Sequence, residues 1–561
     1  MKLWKKEFEK YCLRTKTKSE DGKIGCPGNI TVNLLTIFYK RFNLNLKNIL
    51  MKKEYRFLYL LAFIKFILPF ILQNGIYEPH RDEFLYLAEA HHMAWGYMEI
   101  PPLLSVFGWV TNLFGAGFFW LKFWPSLFGA LTYIIVGKMI LSFRGKTLAL
   151  FLGFLPFIFG AYLRVHFLFQ PNFLEIFFWT MIAFSILRYI QTEKNSWLYV
   201  MGISMGLGMI SKYSVAFFII SVLLGSLLTS QRKIFLNKHL YFASLIGFLI
   251  FLPTLLWEYY HHFPVIVHMK ELQQFQLQYV DPVGFLVSQI LMNWAVVFVW
   301  IAGLYFVIFK EKGKYRIFAW AYLFVILILL YFHGKDYYSL GVYPLLFAFG
   351  AYHLERFAIS HSKIWRYVFI IIPFLLGIPL VPLLLPIAKP KKLATYYKET
   401  NMDKTGFLKW EDLKNHPIPQ DFADMLGWKE IAEKTAKAYS TLSSEEKEHT
   451  FIFADNYGEA GALNYYGKKY NLPEVYSDNA SFLYWLPDSL HIDNVILITD
   501  DKNEMQHAFL KDFSSVTLSD SISNVYAREK GSLIIILKGA NKDFNKMFRE
   551  KIKKDKDRFK N

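Results

Sequence analysis

Eleven apolar segments recur along the chain, near residues 55–73, 119–141, 148–163, 172–190, 197–211, 213–229, 240–257, 284–309, 316–332, 337–355 and 367–388. Many approach the ~20 residues that a straight helix needs to cross a hydrocarbon core of about 30 Å. Inside a bilayer no water satisfies the backbone, so such segments must fold as helices. The chain is therefore expected to be a polytopic α-helical membrane protein with about eleven transmembrane helices. A composition that is 54% hydrophobic, with a mean hydropathy of +0.24, agrees. Several segments are shorter than a span, so some ends must be buried in protein or lie at the interface. The pair on either side of Lys212 reads as two short helices or as one broken helix.

The formal charge of +18 suggests nucleic acid until its distribution is followed. The cations sit at the chain ends and in short loops between apolar segments, the positive-inside pattern of a membrane protein, so no nucleic-acid partner is expected. Threaded from a cytoplasmic N-terminus, Lys138, Arg144 and Lys146 fall inside, as do Arg188 and Lys194. So do Arg232, Lys233 and Lys238; Lys310, Lys312, Lys314 and Arg316; and Arg356, Lys363 and Arg366. The outer loops carry mostly isolated cations: Arg81, Arg164, Lys270 and Lys335. Residues 1–54 form a basic tail. Met51 opens a short basic start followed by an apolar run, so residues 1–50 are either upstream translation or a cytoplasmic tail. No small-residue cleavage site follows that run, which predicts a retained signal anchor. The two cysteines, Cys12 and Cys26, lie in the tail and imply neither a disulfide framework nor zinc.

This threading collects the polar residues on one face. The 74–118 loop, the Arg164–Glu175 turn, Lys212, the Glu258–Asp281 loop and Lys335–Tyr338 all land on the outer side. The densest set is the first loop, GIYEPHRDEFLYLAEAHHMAWGYMEIPP from Gly75 to Pro102. Pro79 followed by Asp82 and Glu83 fits a helix start, with carboxylates at the positive end of the dipole. It equally fits a functional site, because acids beside a membrane span are costly to keep. Convergence of five polar clusters on one face favours the second reading. The helix bearing Phe84, Leu87 and Ala88 is expected to lie along the membrane surface and to carry His91 and His92, with His91 structural.

After Pro390 the composition becomes that of a soluble α/β domain, residues 389–561. EHTFIFAD, NVILITD and SLIIILKG read as short buried strands, with a helical pattern around Phe422–Tyr439. NYGEAGAL reads as a strand–loop–helix turn without the spacing of a nucleotide fingerprint.

HRDEFLYLAEAHHMAWGYMEIPPL resembles the first loop of bacterial membrane glycosyltransferases of family 39. This is the protein O-mannosyltransferase-like group, related to the lipid A aminoarabinose transferase. QPNFLEIFFWT, SKYS, WEYYHHFP and GKDYYSLGVYP match further segments of that group, and DFADMLGWKE and NYGEAGALNYYGKKYNLP resemble the soluble domain of one bacterial branch. The resemblance covers essentially everything from Met51 onward. It implies a glycosyltransferase C fold; the expected location is the inner (cytoplasmic) membrane, where the lysine and arginine threading puts the active site and the C-terminal domain outside. It also implies a sugar donor carried on a polyprenyl phosphate and inversion at the anomeric carbon.

On that resemblance Asp82 matches the first-loop acid and is expected to be the base that takes the acceptor proton. Arg81 is placed beside it as a substrate contact. Glu83 projects about 100° away on a helix and is expected to position or anchor the loop within the catalytic set. Glu99 matches a second acid before Pro101–Pro102, where it would hold a divalent metal or the acceptor. Gln170, Asn172 and Glu175 lie where relatives place another acid. Lys212 and Lys335 are expected to meet the donor phosphate and Tyr337 and Tyr338 to orient it; the alternatives are lysines snorkelling to headgroups and an interfacial aromatic belt. His261 and His262 would join Glu99 at a metal, although adjacent loop histidines are more often simply solvated. A lipid headgroup, a glycan or a protein hydroxyl is the expected acceptor.

The competing reading is a transporter or flippase of lipid-linked intermediates. Such proteins show repeated halves and midplane charges, whereas this chain shows no internal repeat and gathers its charges at one interface. A membrane-anchored binding protein would leave the first-loop pattern unexplained.

Overall fold

A computed structural model describes residues 52–487 and 491–558; the tail before them, with its two cysteines and its start site, lies outside the described residues. Contacts divide the chain into two compact units, residues 1–60 and 61–561. The second holds the later membrane helices and the sheet together.

Each of the eleven apolar segments contains a helix. Five helices are long and apolar enough to span: Lys53–Leu72, Phe118–Ser142, Asn172–Thr192, Lys238–Tyr260 and Ile364–Leu384. Two bent pairs, Val215–Leu227 with Ser230–Leu236 and Pro282–Leu291 with Trp294–Phe309, raise the number to seven if each is one span. The rest are shorter, among them Ser196–Met209, Arg316–Tyr331 and Tyr343–Ser360. Two separate helices therefore flank Lys212, which sits in the turn between Ser196–Met209 and Val215–Leu227.

The C-terminal domain is a five-stranded sheet in the order β2-β1-β3-β5-β4, comprising β1 (Thr450–Ala454), β2 (Val475–Tyr476), β3 (Asn494–Thr499), β4 (Phe513–Ser521) and β5 (Leu533–Ala540). β1 pairs in parallel with β2 and β3, while β5 runs antiparallel to β3 and β4. The three strands expected from sequence are β1, β3 and β5. β2 has only two residues and β4 is a mostly exposed edge rich in serine, so neither carries the apolar run that announces a buried strand.

Alternation along the strands separates two cores. Phe451, Phe453, Val495, Leu497, Ile535 and Leu537 face the last helix, Lys542–Asp557, through its Phe544, Phe548 and Ile552. On the other face Ile452, Ala454, Ile496, Ile498, Ile534 and Ile536 meet Trp428 and Ile431, and the same core continues through Phe84, Leu85 and Leu87 to Phe169 and Phe173. The first-loop helix, Arg81–Glu89, is thus a layer between the sheet domain and the membrane helices. This corrects the expectation that its apolar face lies on the membrane surface. Phe84 is 1% exposed and its ring lies 5.6 Å from those of Trp428 and Tyr465. The helix ends at Glu89, before the two histidines, and His92 stacks on Trp485 at 4.2 Å.

Candidate active site

The start of the first-loop helix separates the two readings of its acids. His80 is the N-cap, its Nδ1 accepting from the Asp82 amide at 3.2 Å. Glu83 completes a capping box by accepting from the His80 amide at 2.8 Å. Glu83 also receives the Phe169 amide at 2.6 Å and pairs with Lys122 at 2.5 and 2.6 Å. Both side chains are fully buried. Capping and anchorage therefore fall to Glu83, and its fellow acid Asp82 is left for other chemistry.

Asp82 keeps 30% of its side chain exposed. Its Oδ2 accepts from Gln170 Nε2 at 2.9 Å and its Oδ1 from the Tyr457 hydroxyl at 2.8 Å. Burial pushes this carboxyl up, but His80, the Tyr457 hydroxyl, Arg81 and Lys335 outweigh it and hold it below the usual carboxylate range. At neutral pH Asp82 is an ionised proton acceptor. Arg81 lies over the Tyr457 ring, 4.6 Å from its centroid.

From Asp82 a polar line runs to Lys212. Gln170 accepts from Asn172 Nδ2 at 3.3 Å, and Lys212 donates to Asn172 Oδ1 and to Glu175 Oε2, each at 2.7 Å. Ser214 donates to the other oxygen of Glu175 at 2.5 Å. The Lys212 ammonium stands 4.4 Å from the Tyr338 ring centroid and 5.8 Å from that of Tyr337. Three segments far apart in sequence (QPNFLE, SKYS and the KDYY turn) thus surround one cation. Tyr213, beside it, donates to Glu258 at 2.6 Å, tying SKYS to WEYYHHFP. Lys335 is near enough to act on Asp82 and lies 3.9 Å from Glu411.

Glu99 is placed differently from its expected role. Its oxygens accept from the Ser481 amide at 2.8 Å and hydroxyl at 2.6 Å. Burial raises its carboxyl. Burial, and then the nearby Glu99, push the carboxyl of Glu89 well above the usual carboxylate range. His261 is exposed and stacks on Trp257 at 4.1 Å, and His262 is exposed at φ +60. Glu99, His261 and His262 do not assemble as a ligand set: Ser481 occupies the acid, and one imidazole is held against Trp257. Among the described residues the group of three ligand atoms within 4.8 Å is instead Asp501, Glu504 and His507, on the sheet domain.

Sequence reasoning missed His80, Lys122, Glu89 and Tyr457. Lys122 lies inside an apolar segment, and a buried cation there signals a partner. Tyr457 lies in the NYGEAGAL turn, whose position beside the first loop only the fold reveals.

No curated protein sequence matches the chain. Residues 100–257 match the family described as dolichyl-phosphate-mannose-protein mannosyltransferase, which bears out the family resemblance over that stretch. The fold is similar to that of ArnT from Cupriavidus metallidurans bound to undecaprenyl phosphate, at 12% identity and a TM-score of 0.55, covering 85% of this chain and 96% of that one. The apo form of the same protein matches at 12% identity with a TM-score of 0.53 and the same coverage. An oligosaccharyltransferase from Archaeoglobus fulgidus, in complex with Zn and sulfate, matches at 12% identity with a TM-score of 0.47, covering 79% of this chain and 68% of that one. The chain therefore has the glycosyltransferase C fold with a C-terminal sheet domain.

Proposed function

We propose that this membrane protein transfers a sugar from a polyprenyl-phosphate donor to an acceptor hydroxyl. The observation that carries the reading is the continuous line from the ionised Asp82 through Gln170 and Asn172 to Lys212. In the reaction the acceptor oxygen attacks the anomeric carbon, its proton passes to Asp82, and the bond from that carbon to the phosphate oxygen breaks. The leaving group is polyprenyl phosphate, and its negative charge develops opposite Lys212, with Lys335 as a second cation. Attack from the side opposite the phosphate inverts the anomeric carbon. Asp82 and Lys212, at the two ends of the line, suit the two sides of such a displacement. The undecaprenyl phosphate bound to the similarly folded ArnT and the dolichyl phosphate named in the family description support a lipid-linked donor.

The site lies on the outer side of the cell membrane with the C-terminal domain, a reading supported by the lysine and arginine asymmetry of the loops. Arg164, an isolated cation of an outer loop, pairs with Asp421 of the C-terminal part at 2.7 Å, as a shared side requires. The acceptor is a hydroxyl of an envelope lipid, glycan or protein.

Membranes of a deletion strain supply both the native donor and the native acceptor. Purified protein added to them should release one polyprenyl phosphate per product molecule formed, both read by mass spectrometry. Movement of a lipid-linked sugar without release would mark a transporter and overturn the proposal.

A further inference from the structure

The C-terminal domain grips the first loop from Glu78 to Arg81. The Glu78 amide donates to Met425 O at 2.8 Å and the Arg81 amide to Asp424 O at 2.9 Å. In return the Lys429 amide donates to Glu78 Oε2 at 2.8 Å. The Asp424 carboxylate stands 3.7 Å from His80 Nε2, on the residue that caps the first-loop helix. The DFADMLGWKE segment is thus hydrogen-bonded to the backbone on which Asp82 sits.

The NYGEAGAL segment grips the same helix from its side. Helix Tyr457–Tyr466 lies on Arg81–Glu89 with glycines at the contact. A Cβ on Gly458 would stand 2.5 Å from Arg81 Cγ, and one on Gly461 2.8 Å from Phe84 Cβ. The two glycines, three apart on one face, let the helices approach closely enough for Tyr457 to reach Asp82. Its hydroxyl ends 2.8 Å from Oδ1, and its ring lies under the Arg81 guanidinium.

We infer that Tyr457 is a positioning residue for the base, so that the C-terminal domain is a structural part of the transfer site. Gln170 from the membrane domain holds one oxygen of Asp82 and Tyr457 from the sheet domain holds the other, which fixes the plane of the carboxylate. Each oxygen keeps a lone pair for the incoming proton. A hydrogen bond to the ionised form also favours that form. The other groups facing Asp82 are His80, Arg81 and Lys335, which lower its proton affinity, and Asp424, Tyr86 and Tyr337, whose charged forms would oppose its ionisation. The inference rests on the reading of Asp82 as the base, and the test separates the two.

Full-length wild type, Tyr457→Phe, Tyr465→Phe and Asp82→Asn are assayed from pH 2.5 to 8 on deletion-strain membranes, with product read by mass spectrometry. Tyr465 donates across the same boundary to Ala116 O at 2.7 Å but does not touch Asp82, so Tyr465→Phe controls for loss of a docking bond. Tyr457→Phe keeps the ring under Arg81 and should move the acid limb of kcat/KM up by roughly one pH unit, with a plateau a few-fold lower. Tyr465→Phe should leave the limb in place. An unmoved limb in Tyr457→Phe, with Asp82→Asn inactive, overturns the positioning role and leaves the base intact. Near-normal transfer by Asp82→Asn overturns the base reading itself, whatever Tyr457→Phe does.

Discussion

Two lysine–glutamate pairs flank the line of the first loop, Lys122–Glu83 and Lys212–Glu175, and their surroundings differ. The first is sealed. Both side chains are fully buried, and the carboxylate also takes the amides of His80 and Phe169. Every strong partner is used inside the fold, so the pair can hold a helix in place but has nothing left for a ligand. The second opens at one end. Lys212 keeps 15% of its side chain exposed, bonds Asn172 as well as Glu175, and faces the rings of Tyr337 and Tyr338. A buried ion pair is weak evidence for function when all its valences are closed. A pair that continues through Asn172 and Gln170 to an ionised, partly exposed acid is much stronger evidence.

The sealed pair should show the largest effect. Glu83→Gln or Lys122→Met leaves one buried charge without its partner, a loss of about 3–5 kcal/mol. The expected result is a marked fall in the folded fraction recovered in detergent. Normal stability with selective loss of transfer would instead place Glu83 in the chemistry. At the open pair, Lys212→Gln keeps a hydrogen-bonding group beside Asn172 but removes the charge. Use of the lipid-linked donor should fall on the order of 10²-fold, as when a preorganised group facing developing negative charge is removed. Unchanged kcat/KM for donor would make Lys212 a lysine that merely snorkels.

Lys335→Ala should cost less, about tenfold or under, because Lys335 lies 3.9 Å from Glu411 and is 27% exposed, so water screens it. The smallest effect belongs to His261→Ala and His262→Ala, exposed on a turn: transfer should stay within about twofold of wild type. A large loss that added divalent cation restores would return the imidazoles to a metal site.

Much of this was legible in the chain. Each of the eleven apolar runs holds a helix, although only five to seven of the described helices are long and apolar enough to span, and the separated clusters around Asp82, Gln170, Lys212 and Tyr338 do meet. The adjacency of Asp82 and Glu83 predicted different directions for the two, because successive helical side chains diverge by about 100°. What remained hidden depends on long-range packing. Lys122 is 39 residues from Glu83 and Tyr457 is 375 from Asp82, separations that no local pattern encodes. His80 acts as a cap through a ring nitrogen, outside the usual Ser, Thr, Asp and Asn signature. The metal expectation for Glu99 failed to assemble because Ser481, from the sheet domain, supplies the donors that a cation would otherwise replace.

In the transfer proposed above, Asp82 takes the acceptor proton while its neighbour Glu83 only holds the helix. Asp82→Asn keeps the size of the side chain and most of its hydrogen bonding, and leaves the His80–Glu83 capping box untouched. Transfer on deletion-strain membranes should fall about 10²–10⁴-fold, with thermal unfolding of the purified protein essentially unchanged. Transfer within a few-fold of wild type would contradict the account and reduce Asp82 to a first-turn carboxylate at the end of a helix.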